Sequence, residues 1–120
     1  MEINIFNDPN LVPKPKDQVR IEDFIVTPYP DRFRVKVGLK LTPFQERPNL
    51  VIVAHRNDGK QVSDLDIIAT MHYDNEYTLH IRGIDDPQGD YTLTAELYYE
   101  TRNPPQDKKQ VTFSIPAEDD

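Results

Sequence analysis

The stretch Arg32-Phe33-Arg34-Val35-Lys36-Val37-Gly38-Leu39-Lys40-Leu41-Thr42 decides the class of fold. Phe33, Val35, Val37, Leu39 and Leu41 take every second position, and Arg32, Arg34, Lys36, Gly38 and Lys40 take the positions between them. A β-strand points successive side chains to opposite faces, so this spacing predicts a strand with one face on a core and the other in water. The same period recurs downstream. Tyr91, Leu93, Ala95, Leu97 and Tyr99 alternate with Thr92, Thr94, Glu96, Tyr98 and Glu100, and Tyr77, Leu79 and Ile81 alternate with Thr78, His80 and Arg82. Val111, Phe113 and Ile115 repeat the pattern against Gln110, Thr112 and Ser114. Half-buried alternation of this kind belongs to antiparallel sheets.

The remaining strands follow from their neighbours. Val19 to Val26 predicts the first, but its apolar phase slips between Ile21 and Phe24, which a β-bulge or a switch between sheets explains. Asn49 to Arg56 is apolar on both phases, the mark of a central strand, and Asn57-Asp58-Gly59-Lys60 turns the chain back into Gln61 to Thr70. The nineteen Val plus Ile residues outnumber the eight Leu, which favours strands over helices. With turns rich in Pro, Asp and Gly between the strands, the expected fold is all-β, a seven-stranded antiparallel β-sandwich.

Composition sets the outer limits. At 120 residues one domain is expected, and the 32 Leu, Ile, Val and Phe residues suffice for a single core. The Pro-rich residues 7–18 predict an extended leader, with Ile3, Ile5 and Phe6 as a short edge strand, so the domain is expected over 19–116 between a leader at 1–18 and an acidic tail at 117–120. A net charge of -7 disfavours nucleic acid. No segment approaches membrane-spanning length, and no basic, apolar secretory leader opens the sequence, so a cytoplasmic protein is expected, or an extracellular one if the chain is an excised domain. The absence of Cys removes disulfides, thiol nucleophiles and thiolate metal sites together.

The segment Gly89-Asp90-Tyr91-Thr92-Leu93-Thr94-Ala95 resembles the opening of the sixth strand in immunoglobulin-like and fibronectin type III-like domains, many bacterial ones among them. In those folds the Tyr hydroxyl bonds back to the backbone of the preceding corner, a role the resemblance implies for Tyr91. The resemblance is to a fold and covers roughly residues 19–116. The chain departs from antibody domains in having no Cys pair and no Trp on the third strand, where Ile52 or Val53 stands. Such domains serve as spacers or binding modules, so the resemblance implies a class without a partner.

No catalytic or metal-binding constellation emerges, and no cofactor is expected. His55, His72 and His80 have no partner at metal-ligand spacing, and Ser63 and Ser114 stand outside any nucleophile-elbow context. Alternation of strand direction instead gathers the second-to-third, fourth-to-fifth and sixth-to-seventh loops at one pole. Phe44, Arg47, His72, Tyr73 and Arg102 meet there as candidate anchors for a protein partner, because aromatic and Arg side chains dominate binding hot spots. The competing reading folds Phe44 and Tyr73 inward as lids over the core ends. Other readings are a calcium site at the opposite pole from Asp31, Asp58, Asp85, Asp86 and Asp90, carbohydrate stacking on Tyr29, Tyr73 and Tyr98, or a structural spacer. The expectation is a non-enzymatic interaction or accessory module, a monomer or weak homodimer in solution.

Overall fold

The computed structural model describes residues 12–118; the expected edge strand at Ile3, Ile5 and Phe6 lies outside them. Seven strands follow in order: β1 (Ile21–Pro28), β2 (Arg34–Leu41), β3 (Asn49–Arg56), β4 (Gln61–Ile67), β5 (Asp74–His80), β6 (Gly89–Tyr98) and β7 (Asp107–Ile115). They form a three-stranded sheet ordered β1-β2-β5 and a four-stranded sheet ordered β4-β3-β6-β7, with every pairing antiparallel. The fold is an immunoglobulin-like β-sandwich. Its fourth strand pairs with β3, whereas antibody constant domains place that strand in the sheet of the first two.

The core is built from the inward phase of each strand. Val35, Val37, Leu39 and Leu41 of β2 face Leu50, Ile52 and Ala54 of β3 and Leu93, Ala95 and Leu97 of β6, all of them buried. Removal of this apolar surface from water is the main favourable term in folding. The outward phase of β2 is polar, and Lys36 pairs with Glu76 across the ladder to β5 at 3.4 Å, the cross-strand use expected of a basic stripe.

The slip in β1 is a bulge. Ile21 pairs with Leu41 and Asp23 with Lys40, so Glu22 is the extra residue, and the apolar phase inverts across it. Phe33 is a correction: the alternation put it in the core, but it is 39% exposed. Arg32 before it takes a positive φ of 71°, which ends the extended backbone that the alternation assumes. Strand ends also moved. β5 begins at Asp74 and β7 at Asp107, because polar residues join a ladder through their backbone without leaving a hydropathy signal.

Tyr91 is the tyrosine of the corner before β6. Its ring is 1% exposed and stacks on Phe113 with centroids 5.0 Å apart, while its hydroxyl donates to the Pro87 carbonyl at 2.5 Å. The hydroxyl removes a buried carbonyl's need for water and ties the β5–β6 loop to the core. Replacing Tyr91→Phe leaves that carbonyl unpaired and is expected to cost about 1–3 kcal/mol. Urea unfolding followed by circular dichroism measures it; an unchanged midpoint and slope would refute the role.

Candidate functional site

Antiparallel ladders bring the loops at 42–48, 68–73 and 99–106 to one pole. Phe44 and Tyr73 meet edge to face, with ring centroids 5.9 Å apart and planes at 83°. The Tyr99 hydroxyl donates to the Glu46 carbonyl at 2.8 Å, and the Thr70 amide donates to the Pro48 carbonyl at 2.9 Å. Asn49, the first residue of β3, joins the other two loops: its Nδ2 donates to the Tyr99 carbonyl at 2.9 Å, and its Oδ1 accepts from the Ala69 amide at 2.8 Å. One amide side chain therefore sets the spacing of two loops that are far apart in sequence.

Part of the leader is held against this pole. The Lys14 amide donates to the Pro43 carbonyl at 2.9 Å, and the Gln45 amide donates to the Lys14 carbonyl at 3.0 Å. Residues Lys16–Gln18 form a single 3-10 turn, and Gln106 donates from Nε2 to the carbonyls of Lys16 and Val19. Lys16 reaches Glu100 at 3.1 Å and Glu46 at 3.6 Å. The hydrogen bond and charge of Glu100, with the charge of Glu46, hold the Lys16 ammonium above its ordinary pKa. These groups are solvent-exposed, so the pairing is worth little to stability.

Each residue expected at the pole has a definite place. Phe44 and Tyr73 are half-buried and pack against the core, which limits the ring area they present outward. His72 and Arg47 are exposed. Arg102 turns back along the sheet, its Nε donating to Glu96 at 3.1 Å. Two residues outside the expected set carry the apolar exposure: Ile68 at 69% and Met71 at 66%. A signal for Ile68 exists in the sequence, since Leu65 and Ile67 share one phase and Ile68 falls on the other. Between Ile68 and Met71, Ala69 has a positive φ of 51° and Thr70 is 3% exposed. Asn49 pins the Ala69 amide while Thr70 is drawn inward, and its two flanking apolar side chains are left in water.

Burial raises the Tyr99 hydroxyl to a pKa of about 12, with a further push from the Glu46 carboxylate. At the opposite pole four of the five expected carboxylates, all but Asp85, are engaged locally. Asp31 accepts from Arg34 and from the Phe33 and Arg34 amides, Asp58 accepts from the Lys60 amide, Asp86 from Arg32 and the Gln88 amide, and Asp90 from the Ser114 hydroxyl. Among the described residues no group of three or more His, Asp or Glu side chains stands where it could hold a metal ion. No helix among them is long and apolar enough to cross a membrane.

No protein-family model matches the chain, and no curated protein sequence matches it. Solved structures share its fold. A glycosyl hydrolase family 2 member from Bacteroides cellulosilyticus superposes with a TM-score of 0.62 at 12% identity, over 81% of this chain and 14% of that one. A β-glucuronidase from Bifidobacterium dentium gives 0.54 at 19% identity, over 81% of this chain and 18% of that one. The β-glucuronidase from Ruminococcus gnavus gives 0.50 at 11% identity, over 82% and 16%. At these identities the likeness is one of fold. The chain is an immunoglobulin-like β-sandwich domain, spanning less than a fifth of the length of these enzymes.

Two measurements test the pole's construction. Ala69→Gly removes the Cβ penalty of a left-handed residue and is expected to stabilise the fold by about 0.5–1 kcal/mol in urea unfolding, net of the entropy that Gly adds to the unfolded chain. A loss of stability would mean that Ala69 is not strained. For Tyr99 the folded pKa of about 12 lies above the ordinary phenol value, so folding favours the neutral ring. Its contribution is complete below the ordinary phenol pKa of about 10 and is lost as pH rises through about 12. A phenolate absorbance titration should lose a component near pH 12 in Tyr99→Phe. An unaltered curve would contradict the assignment.

Proposed function

We propose that this domain is a non-catalytic accessory or interaction module that docks another protein, or a neighbouring domain, through the pole carrying Ile68, Met71, His72, Tyr73, Phe44 and Arg47. The observation that carries the reading is the pair Ile68 and Met71, 69% and 66% exposed, on a loop whose backbone is held in place by Asn49. Apolar side chains presented on a pinned loop lose little conformational freedom on binding, so more of the contact energy appears as affinity. Arg47 and His72 give the patch a polar rim, the usual composition around an interface centre. Arg102 would contribute after releasing Glu96, or through its exposed guanidinium edge.

The solved neighbours support the accessory reading by proportion. Each is a far longer enzyme chain in which a fold like this one occupies 14% to 18% of the length. On this reading the domain supplies spacing and contact, and any chemistry belongs to its partner.

The test is affinity capture from an extract of the source cell, comparing the wild type with an Ile68→Lys, Met71→Lys double variant matched in melting temperature. Because both side chains are exposed, their replacement should leave the fold intact, whereas truncating Phe44 or Tyr73 would also remove core contacts. A partner bound by the wild type should be held at least about tenfold more weakly by the variant. Equal retention by both proteins would exclude this pole.

A further inference from the structure

An open groove lies at the other pole. It has a volume of about 940 Å³ and is formed by three segments: the β1–β2 turn, the β5–β6 loop and the chain leaving β7. That size matches the roughly 300–1,000 Å³ of ordinary ligand clefts. Phe33 lines it and is 39% exposed, Tyr29 stands beside it, and Pro28, Pro30 and Pro116 contribute apolar walls. Arg32 holds the three segments together. From a backbone with φ of 71° its Nε donates to the Pro116 carbonyl at 3.0 Å and its Nη2 to Asp86 at 3.0 Å. The groove is therefore braced, with no neighbouring side chain covering Phe33 in full.

Its charge is one-sided. Four carboxylates line it, from Asp31, Asp85, Asp86 and Glu118, against the single guanidinium of Arg32. Asp31 is paired with Arg34 and Asp86 with Arg32, but Asp85 and Glu118 form no ion pair among the described residues. Arg34 also shows what suits this surface: its guanidinium lies over the Tyr29 ring, 4.5 Å from the centroid, with its charge on Asp31. A Lys or Arg side chain has the same two parts, an apolar stem that covers aromatic or proline surface and a cationic head that seeks a carboxylate.

We propose that this groove binds an extended segment of a protein partner bearing Lys or Arg, with the stem of the basic side chain on Phe33 and the proline walls and its head at Asp85 and Glu118. The contact is independent of the pole that carries Ile68 and Met71, so either assignment can fail without the other.

The test is a titration of the isotope-labelled chain with the blocked hexapeptide Gly-Arg-Pro-Lys-Pro-Gly, followed by amide chemical shifts, with Gly-Gln-Pro-Gln-Pro-Gly as the neutral control. Shifts should concentrate at Phe33, Asp85, Asp86 and Ala117. Phe33→Ser and Asp85→Asn should each weaken binding by about threefold or more. Asp85 is exposed and outside the core, so its variant serves if Phe33→Ser lowers the melting temperature. Asp64→Asn with Asp66→Asn, on β4, should leave binding unchanged. No shifts, equal binding of the neutral peptide, or an equal loss in the β4 variant would overturn the proposal. Spermidine binding as well as the basic peptide would overturn the assignment to a peptide segment.

Discussion

The ladder between β3 and β6 is the constraint on which the other features depend. It runs without a break from Asn49 opposite Tyr98 to Arg56 opposite Tyr91, in the middle of the four-stranded sheet. Each end carries the side chain that organises one pole. At the first, Asn49 reaches the loops on either side of it; at the second, Arg56 donates to the Gln88 carbonyl at 2.6 Å and Tyr91 to that of Pro87 at 2.5 Å. A shift of register by one residue would turn Leu50, Ile52 and Ala54 outward and separate these clamps from their loops. The core and the two poles are thus set by one pairing.

The two poles use their clamps differently. At the Asn49 end its side chain satisfies backbone groups of two loops, and Ile68 and Met71 beside them stay exposed. At the Tyr91 end the loops enclose a groove in which carboxylates outnumber cations, and Arg32 is consumed in holding the walls together. A chain with a net charge of -7 thereby presents one end with exposed Ile68 and Met71 and one end where carboxylates line a groove beside Phe33 and Tyr29.

Much of the fold was legible because period-two alternation is a local property of an extended chain. Val35 to Leu41 and Tyr91 to Leu97 could be assigned to a core face without knowing what they pack against. The slip at Ile21 was readable as a break in phase that a bulge or a switch between sheets would repair, and the pairing of β1 shows the bulge, at Glu22. The site was less legible. Phe44 and Tyr73 are aromatic loop residues by sequence, and nothing local says that each packs against the core and the other. Arg102 gives no sign that Glu96, on the adjoining strand, will engage it. Ile68 belonged to the stretch Gln61 to Thr70 expected as a strand, which ends at Ile67, since Asn49 captures the next amide but one, and Met71 fell in the loop after it.

The amino-acid sequence by itself determined the all-β class, the number of strands, the core-facing phase of most of them and which loops share a pole. These follow from the pleat, the turn residues and the alternation of strand direction, which act over a few residues at a time. Tertiary structure alone decided that Phe33, Ile68 and Met71 face water while Phe44 and Tyr73 lie half-covered, and that Tyr99 holds its proton to a pKa of about 12. Exposure and proton affinity depend on what distant segments bring to the same place. In this chain such segments are joined by Asn49 and Arg32, whose partners lie far away in the sequence.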